Sequence, residues 1–239
     1  MLDIHEYVSE NWNNYDHLLE NLPFLKNELS EFETIVKYLN LLENNLDVPL
    51  TEFNSAVENL LDSQDLYVQI FSNLYPYVIK FDKILTISNS HTLLNIFKLW
   101  HKKNNRLEIF VSESRPLFEG RVLVESLLEI PLKLSLITES ALSYYVENCD
   151  AAVIGADAIL PTGDVINKTG SRLIAILCKH FKKPFYVAAD KSKIKSDNTV
   201  KIIEKPVEEI WEHNHKSLSI KNYYFEIVEN DLITKIITN

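Results

Sequence analysis
The stretch 153–171, VIGADAILPTGDVINKTGS, sets the carboxylate of Asp157 ahead of the amide of Asn167, the ammonium of Lys168 and the hydroxyl of Ser171. A carboxylate just past an apolar run can accept a proton, and polar groups where a helix opens can hold an anionic or polyhydroxylated ligand. The same residues serve without a ligand if Asp157 caps a loop and Lys168 answers its charge. Two further stretches pose a similar choice. In ESRPLFEGR, 113–121, the guanidinium of Arg115 can grip a phosphate with two parallel N–H groups, or pair with Glu113 or Glu119. In ISNSHT, 87–92, Ser88, Asn89 and Ser90 can cap a helix or leave its first amides to an anion. Ser88 lacks the GxSxG setting of a nucleophile elbow, and His91 reads as an exposed helix-start residue rather than a base.

These residues need a scaffold that brings distant loops together. Short apolar runs at 84–87, 107–111, 134–137, 152–154 and 185–188 alternate with amphipathic stretches at about 91–103, 119–129, 139–148 and 169–181. Such alternation predicts a parallel sheet with helices on both faces, whose ligands sit at the carboxyl ends of the strands. On this pattern Asn167, Lys168 and Ser171 open a helix. All four glycines, Gly120, Gly155, Gly163 and Gly170, lie in this half, where loops must turn tightly or approach closely. Neither GxGxxG after the first strand nor GxxxxGK[ST] is present, which speaks against dinucleotide and P-loop chemistry.

Residues 3–75 carry apolar positions at helical spacing, without glycine, and predict about four helices, with Pro23 and Pro49 where stretches change. The division expected is an acidic helical domain over 1–78 and a Rossmann-like α/β domain over 79–239. The first part holds fourteen Asp and Glu against Lys26 and Lys37, and the first arginine is Arg106. That charge repels phosphate backbones, so no direct nucleic-acid contact is expected. No apolar run is long enough to span a membrane, and Asp3, Glu6 and Glu10 replace the basic start of a secretory leader, so a cytoplasmic location is expected. Cys149 and Cys178 have neither a CxxC nor a zinc spacing, and no metal or cofactor is expected.

Taken together and in order, ILTISNSHT, ESRPLFEG and VIGADAILPTGDVINKTGS, then PFYVAADKSKI and the closing 225–238, resemble one family over about residues 80–239. It joins the alpha, beta and delta subunits of translation initiation factor 2B to methylthioribose 1-phosphate and ribose 1,5-bisphosphate isomerases. The resemblance implies a homodimer, formed partly by the apolar C-terminal segment. It also implies a ligand site of Ser88, Asn89, Ser90, Arg115, Asp157, Asn167 and Lys168.

The isomerases of this family pair a loop cysteine with the aspartate of GAD, and hold phosphate with N-terminal arginines and a glutamine before the glycine of the ESRP segment. Here Ser88 stands at the cysteine position, Glu119 at the glutamine, and no arginine precedes Arg106. A hydroxyl yields its proton far less readily than a thiol of pKa about 8.5. These departures favour the noncatalytic branch: a binding or regulatory subunit with a pocket for a phosphorylated metabolite or nucleotide. The alternatives are a sugar-phosphate aldose–ketose isomerase, with Asp157 and Ser88 as its catalytic residues, and a structural module with a vestigial pocket.

Overall fold
The computed structural model describes residues 8–9, 12, 15–28, 33–61 and 64–239. Helices come first: α1 (Tyr15–Glu28), α2 (Glu33–Asn44), α3 (Leu50–Leu61) and α4 (Gln64–Val78). Most of the helical spacing expected over residues 3–14 falls outside the described residues. Trp12, Leu22, Tyr38, Leu39, Leu42, Phe53 and Val57 form a small core in which Trp12 stacks on Phe53 with ring centroids 4.6 Å apart. Pro49 stands just before α3, but Pro23 lies inside α1 rather than at a break. Packing of the flanking turns has overridden the local preference of proline there. The last helix, α4, buries Ile70, Phe71, Leu74 and Val78 in the core of the sheet that follows.

That sheet has six strands, all parallel: β1 (Lys83–Ile87), β2 (Glu108–Ser112), β3 (Lys133–Ile137), β4 (Ala151–Ile154), β7 (Phe185–Ala188) and β9 (Lys235–Ile237), in the order β3-β2-β1-β4-β7-β9. A second, antiparallel sheet joins β5 (Ala158–Ile159), β6 (Val165–Lys168) and β8 (Phe225–Val228). Strand residues alternate between two cores because successive side chains leave opposite faces. Ile84, Ile109, Val111 and Val153 face Leu93, Phe97 and Trp100 of α5 (His91–Lys103) and Leu123 of α6 (Glu119–Leu127). Leu85, Ile87, Ala152 and Ile154 face Val146 of α7 (Leu142–Asn148) and Ile174, Ala175 and Cys178 of α8 (Ser171–Phe181). The central strands are buried on both sides and read as nearly unbroken apolar runs. Helices followed by a Rossmann-like parallel sheet are thus the architecture of this chain, as expected.

The C-terminal segment serves this core. β8 pairs with β6, β9 closes the edge beside β7, and Phe225, Val228 and Ile237 are buried. No helix of the described residues is long and apolar enough to cross a membrane.

Both thiols lie in the second core, where burial pushes Cys149 up to about 11 and Cys178 up to about 12. The thiolate is the reactive form, so the folded protein at pH 8 is expected to leave both cysteines unlabelled by an aromatic disulfide reagent. Unfolding in guanidinium should expose two thiols per chain. Rapid labelling of the native protein would show that this core opens.

Candidate functional site at the strand carboxyl ends
Sheet order reverses direction between β1 and β4, which makes the carboxyl ends of these strands the switch point where open parallel sheets leave a crevice. The loops after β1, β2 and β4 and the turn entering α8 meet there. A methyl group on Gly155 would come within 2.7 Å of Ser90 Oγ, and one on Gly170 within 2.8 Å of Ile87 Cδ1. Gly155 therefore lets the β4 loop touch the β1 loop. Gly170, at φ +107°, turns the chain into α8 against the end of β1.

A chain of hydrogen bonds links β1 to β2. The Ser88 N–H donates to Ser114 Oγ at 2.8 Å, and the Ser114 hydroxyl donates to the Ser112 carbonyl at 2.9 Å. Glu139, at the end of β3, accepts from the Ser114 N–H at 2.6 Å and from Ser112 Oγ at 2.7 Å. Ser88 and Ser114 have φ of 67° and 66°, left-handed conformations that cost an L-residue roughly 1–2 kcal/mol each. The relay over-determines both residues and so sustains the strain. Ser114→Ala removes the acceptor of the Ser88 amide and is expected to destabilise the fold by about 1–3 kcal/mol in urea unfolding. An unchanged midpoint would show that the relay is dispensable.

Ser90 caps α5, its hydroxyl accepting from the Leu93 N–H at 3.3 Å, and Asn89 is exposed. His91 Nδ1 lies 2.9 Å from the Tyr67 hydroxyl, which ties the start of α5 to α4. Arg115 is exposed, with its guanidinium 5.0 Å from the Phe118 ring and one N–H 3.5 Å from the Ile210 carbonyl. Its neighbour Arg121 is engaged with Glu113 at 2.8 Å.

Asp157 is half-buried just past β4, and its N–H donates to the Ile166 carbonyl at 2.9 Å. Asn167 and Lys168 do not open a helix as their sequence context predicts: they end β6, whose partners Glu226 and Phe225 lie on β8. The turn containing Pro161 and Gly163 gave a local hairpin signal for β5 and the start of β6, but Asn167 and Lys168 pair only with β8, almost sixty residues away, which leaves no local signal. Asn167 turns its amide to Ser171 Oγ at 2.8 Å. The Lys168 ammonium meets Glu119 Oε1 at 2.7 Å and lies 5.1 Å from the Tyr224 ring centre. Glu226 occupies the N-terminus of α8, accepting from the Gly170 N–H at 2.6 Å and the Arg172 N–H at 2.9 Å.

Glu139, Ser112, Tyr224 and Glu226 are the participants that sequence reading missed. Glu139 had a usable signal, since it follows the end of β3 just as Ser88, Ser114 and Asp157 follow theirs. Tyr224 and Glu226 had none, being placed by the β6–β8 pairing. Apart from this crevice, a cavity of about 250 Å³ lies between α4 and β9, lined by Asn73, Tyr77 and Lys235–Thr238. It contains none of the residues above. The crevice is preferred as the site on chemistry, because it gathers strained loops and buried polar groups at a switch point.

Known proteins resemble this chain in sequence and in fold. Ribose 1,5-bisphosphate isomerase of Archaeoglobus fulgidus is 34% identical over 161 residues, 65% of this chain and 51% of that protein. Methylthioribose-1-phosphate isomerase of Geobacillus thermodenitrificans is 27% identical over 93% of this chain and 68% of its own length. The chain spans about half the length of several curated relatives it matches, at 51% and 53% for two ribose 1,5-bisphosphate isomerases. A crystal structure described as Pyrococcus horikoshii translation initiation factor eIF-2B superposes with a TM-score of 0.75 at 23% identity, over 93% of this chain and 80% of that one. Isomerases stand prominently among these matches, so the expectation that the chain sides with the noncatalytic branch is not supported. The sequence pattern of one family runs through the helices, the switch-point loops and the C-terminal strands alike, matching residues 22–239, and the chain belongs to the Initiation factor 2 subunit family.

Proposed function
We propose that this chain binds a pentose phosphate at the β1–β4 switch point and interconverts its aldose and ketose forms, with Asp157 as the proton carrier. The observation that carries this reading is the convergence of the Ser88–Ser90, Ser114–Arg115 and Gly155–Asp157 loops at one crevice. The substrate class comes from the two isomerases named above. In the ligand set Ser88, Asn89, Ser90, Arg115, Asp157, Asn167 and Lys168, the exposed guanidinium of Arg115 is the natural partner of the phosphate. In a sugar phosphorylated at O1, isomerisation breaks the C1–O4 ring bond, moves the hydrogen on C2 to C1, and passes the O2 proton, in net, to O4. One carboxylate can take and return the carbon-bound proton. Ser88 supplies a hydrogen bond at the second centre, while its weak acidity leaves the oxygen-to-oxygen transfer to a bound water or His91.

A second reading rests on Ser88 itself. With a hydroxyl in place of a thiol, the crevice would bind the sugar phosphate without converting it, as a regulatory or scaffolding subunit. A homodimer in the cytoplasm belongs to either reading, on the family resemblance. Thermal-shift measurement with pentose phosphates, followed by a ketose assay, separates them. A ligand at a hundred times its dissociation constant should stabilise by about 2.7 kcal/mol. Stabilisation with turnover supports the isomerase, stabilisation alone supports the second reading, and neither effect overturns both.

A further inference from the structure
Lys168 is almost wholly enclosed: its side chain is 2% exposed, and its ammonium is held by Glu119 Oε1 at 2.7 Å. Around it stand the Tyr224 ring at 5.1 Å, and behind that ring Glu209, which accepts from the Tyr224 hydroxyl at 2.5 Å and from Asn222 Nδ2 at 2.8 Å. Lys205 lies 5.2 Å from the same ring. Glu119 is the more open member of the pair, with 26% of its side chain exposed, while its Oε2 is buried and has no hydrogen-bond partner among the described residues. Its position is fixed closely, because Gly120 beside it packs against the Ser112 carbonyl, where a methyl group would fall only 1.8 Å from the oxygen.

A phosphate entering this end of the crevice needs positive charge in excess of its surroundings. The Lys168 charge is already cancelled at contact distance, and the carboxylate that cancels it would repel a dianion. A hydroxyl meets the opposite situation. Glu119 has about four acceptor positions, of which Lys168 takes one, and the broad torsion of a carboxylate lets Oε2 swing toward a donor. A sugar hydroxyl offers that donor, whereas a phosphate dianion offers none.

From this we infer that Glu119 is a specificity-determining residue: the Glu119–Lys168 pair receives a sugar hydroxyl, so the site takes pentoses bearing a single phosphate and rejects bisphosphates. The inference rests on the sugar-phosphate reading above and narrows it. The single phosphate goes to Arg115, which is exposed and has one N–H 3.5 Å from the Ile210 carbonyl.

The test is titration calorimetry with ribose 5-phosphate and ribose 1,5-bisphosphate, carried out on the Asp157→Asn protein so that no conversion occurs. With Glu119 present, the monophosphate is expected to bind at least about tenfold more tightly than the bisphosphate. Adding Glu119→Gln, which keeps an acceptor for Lys168 but removes the charge, should shrink that ratio at least about tenfold. Adding Glu119→Asp should preserve the preference. If the Gln variant fails to fold, the double change Glu119→Gln with Lys168→Gln leaves no charge unpaired and should also lose the preference. Equal or tighter binding of the bisphosphate by the Glu119 protein overturns the inference while leaving the sugar-phosphate reading intact. So does a ratio that survives both neutral variants. Failure of every variant to bind either sugar overturns the reading itself, and the inference with it.

Discussion

Asp157→Asn is expected to lower the rate of ketose formation by about a hundred- to ten-thousand-fold while leaving the fold and sugar-phosphate binding in place. Asparagine has the same shape but no basic oxygen, and it keeps the bond from the residue 157 N–H to the Ile166 carbonyl, which comes from the backbone. The loss should therefore fall on kcat rather than KM, as for a group that acts in the transition state. Steady-state assays of wild type and variant, with thermal unfolding as a control, decide the matter. Wild-type turnover that Asp157→Asn leaves unchanged would remove Asp157 from the chemistry. Absence of turnover in wild type, with binding retained, would turn the proposal to its second reading.

The other large effect lies in the buried ion pair. Glu119→Leu strands the Lys168 ammonium in a site where 2% of its side chain reaches water, and breaking a buried pair in this way costs about 3–5 kcal/mol. For a chain of this size that is on the order of 10 °C in Tm. The lower end of the range is expected because Glu119 is 26% exposed and some water already reaches the pair. Lys168→Met should cost less, since Glu119 can turn toward solvent. Combining Glu119→Leu with Lys168→Met should recover most of the loss, because replacing a whole buried pair with apolar side chains is often neutral. Urea unfolding of the three variants measures the coupling. Losses that simply add would show that the two side chains do not depend on each other.

Much of the scaffold could be read locally. Strands at 84–87, 134–137 and 185–188 and the helix at 91–103 stand where apolar runs and amphipathic spacing predict them, because burial on two faces or one writes a short-range pattern into the chain. The helix expected from about 169 begins at Ser171, and Asn167 and Lys168, expected to open it, belong to a strand instead. Pro23 misled in the other direction, since tertiary packing carried α1 through it.

Sequence alone determined the fold class and the family, because each of these rests on residue types at short spacing: apolar periodicity, glycines at tight turns, and polar residues just past strands. Tertiary structure alone decided how those residues are used. It placed Lys168 against Glu119, forty-nine positions away, and so made a lysine expected to face a ligand half of an ion pair as well. It set Glu139 beneath Ser114, and Ser114 beneath Ser88, from three separate strand ends. It also filled the N-terminus of α8 with Glu226 from β8. The physical reason is common to all three. A hydrogen bond or ion pair is satisfied by whichever group the packing of the sheet brings within about 3 Å, and in a parallel sheet the neighbours at one edge come from distant parts of the chain.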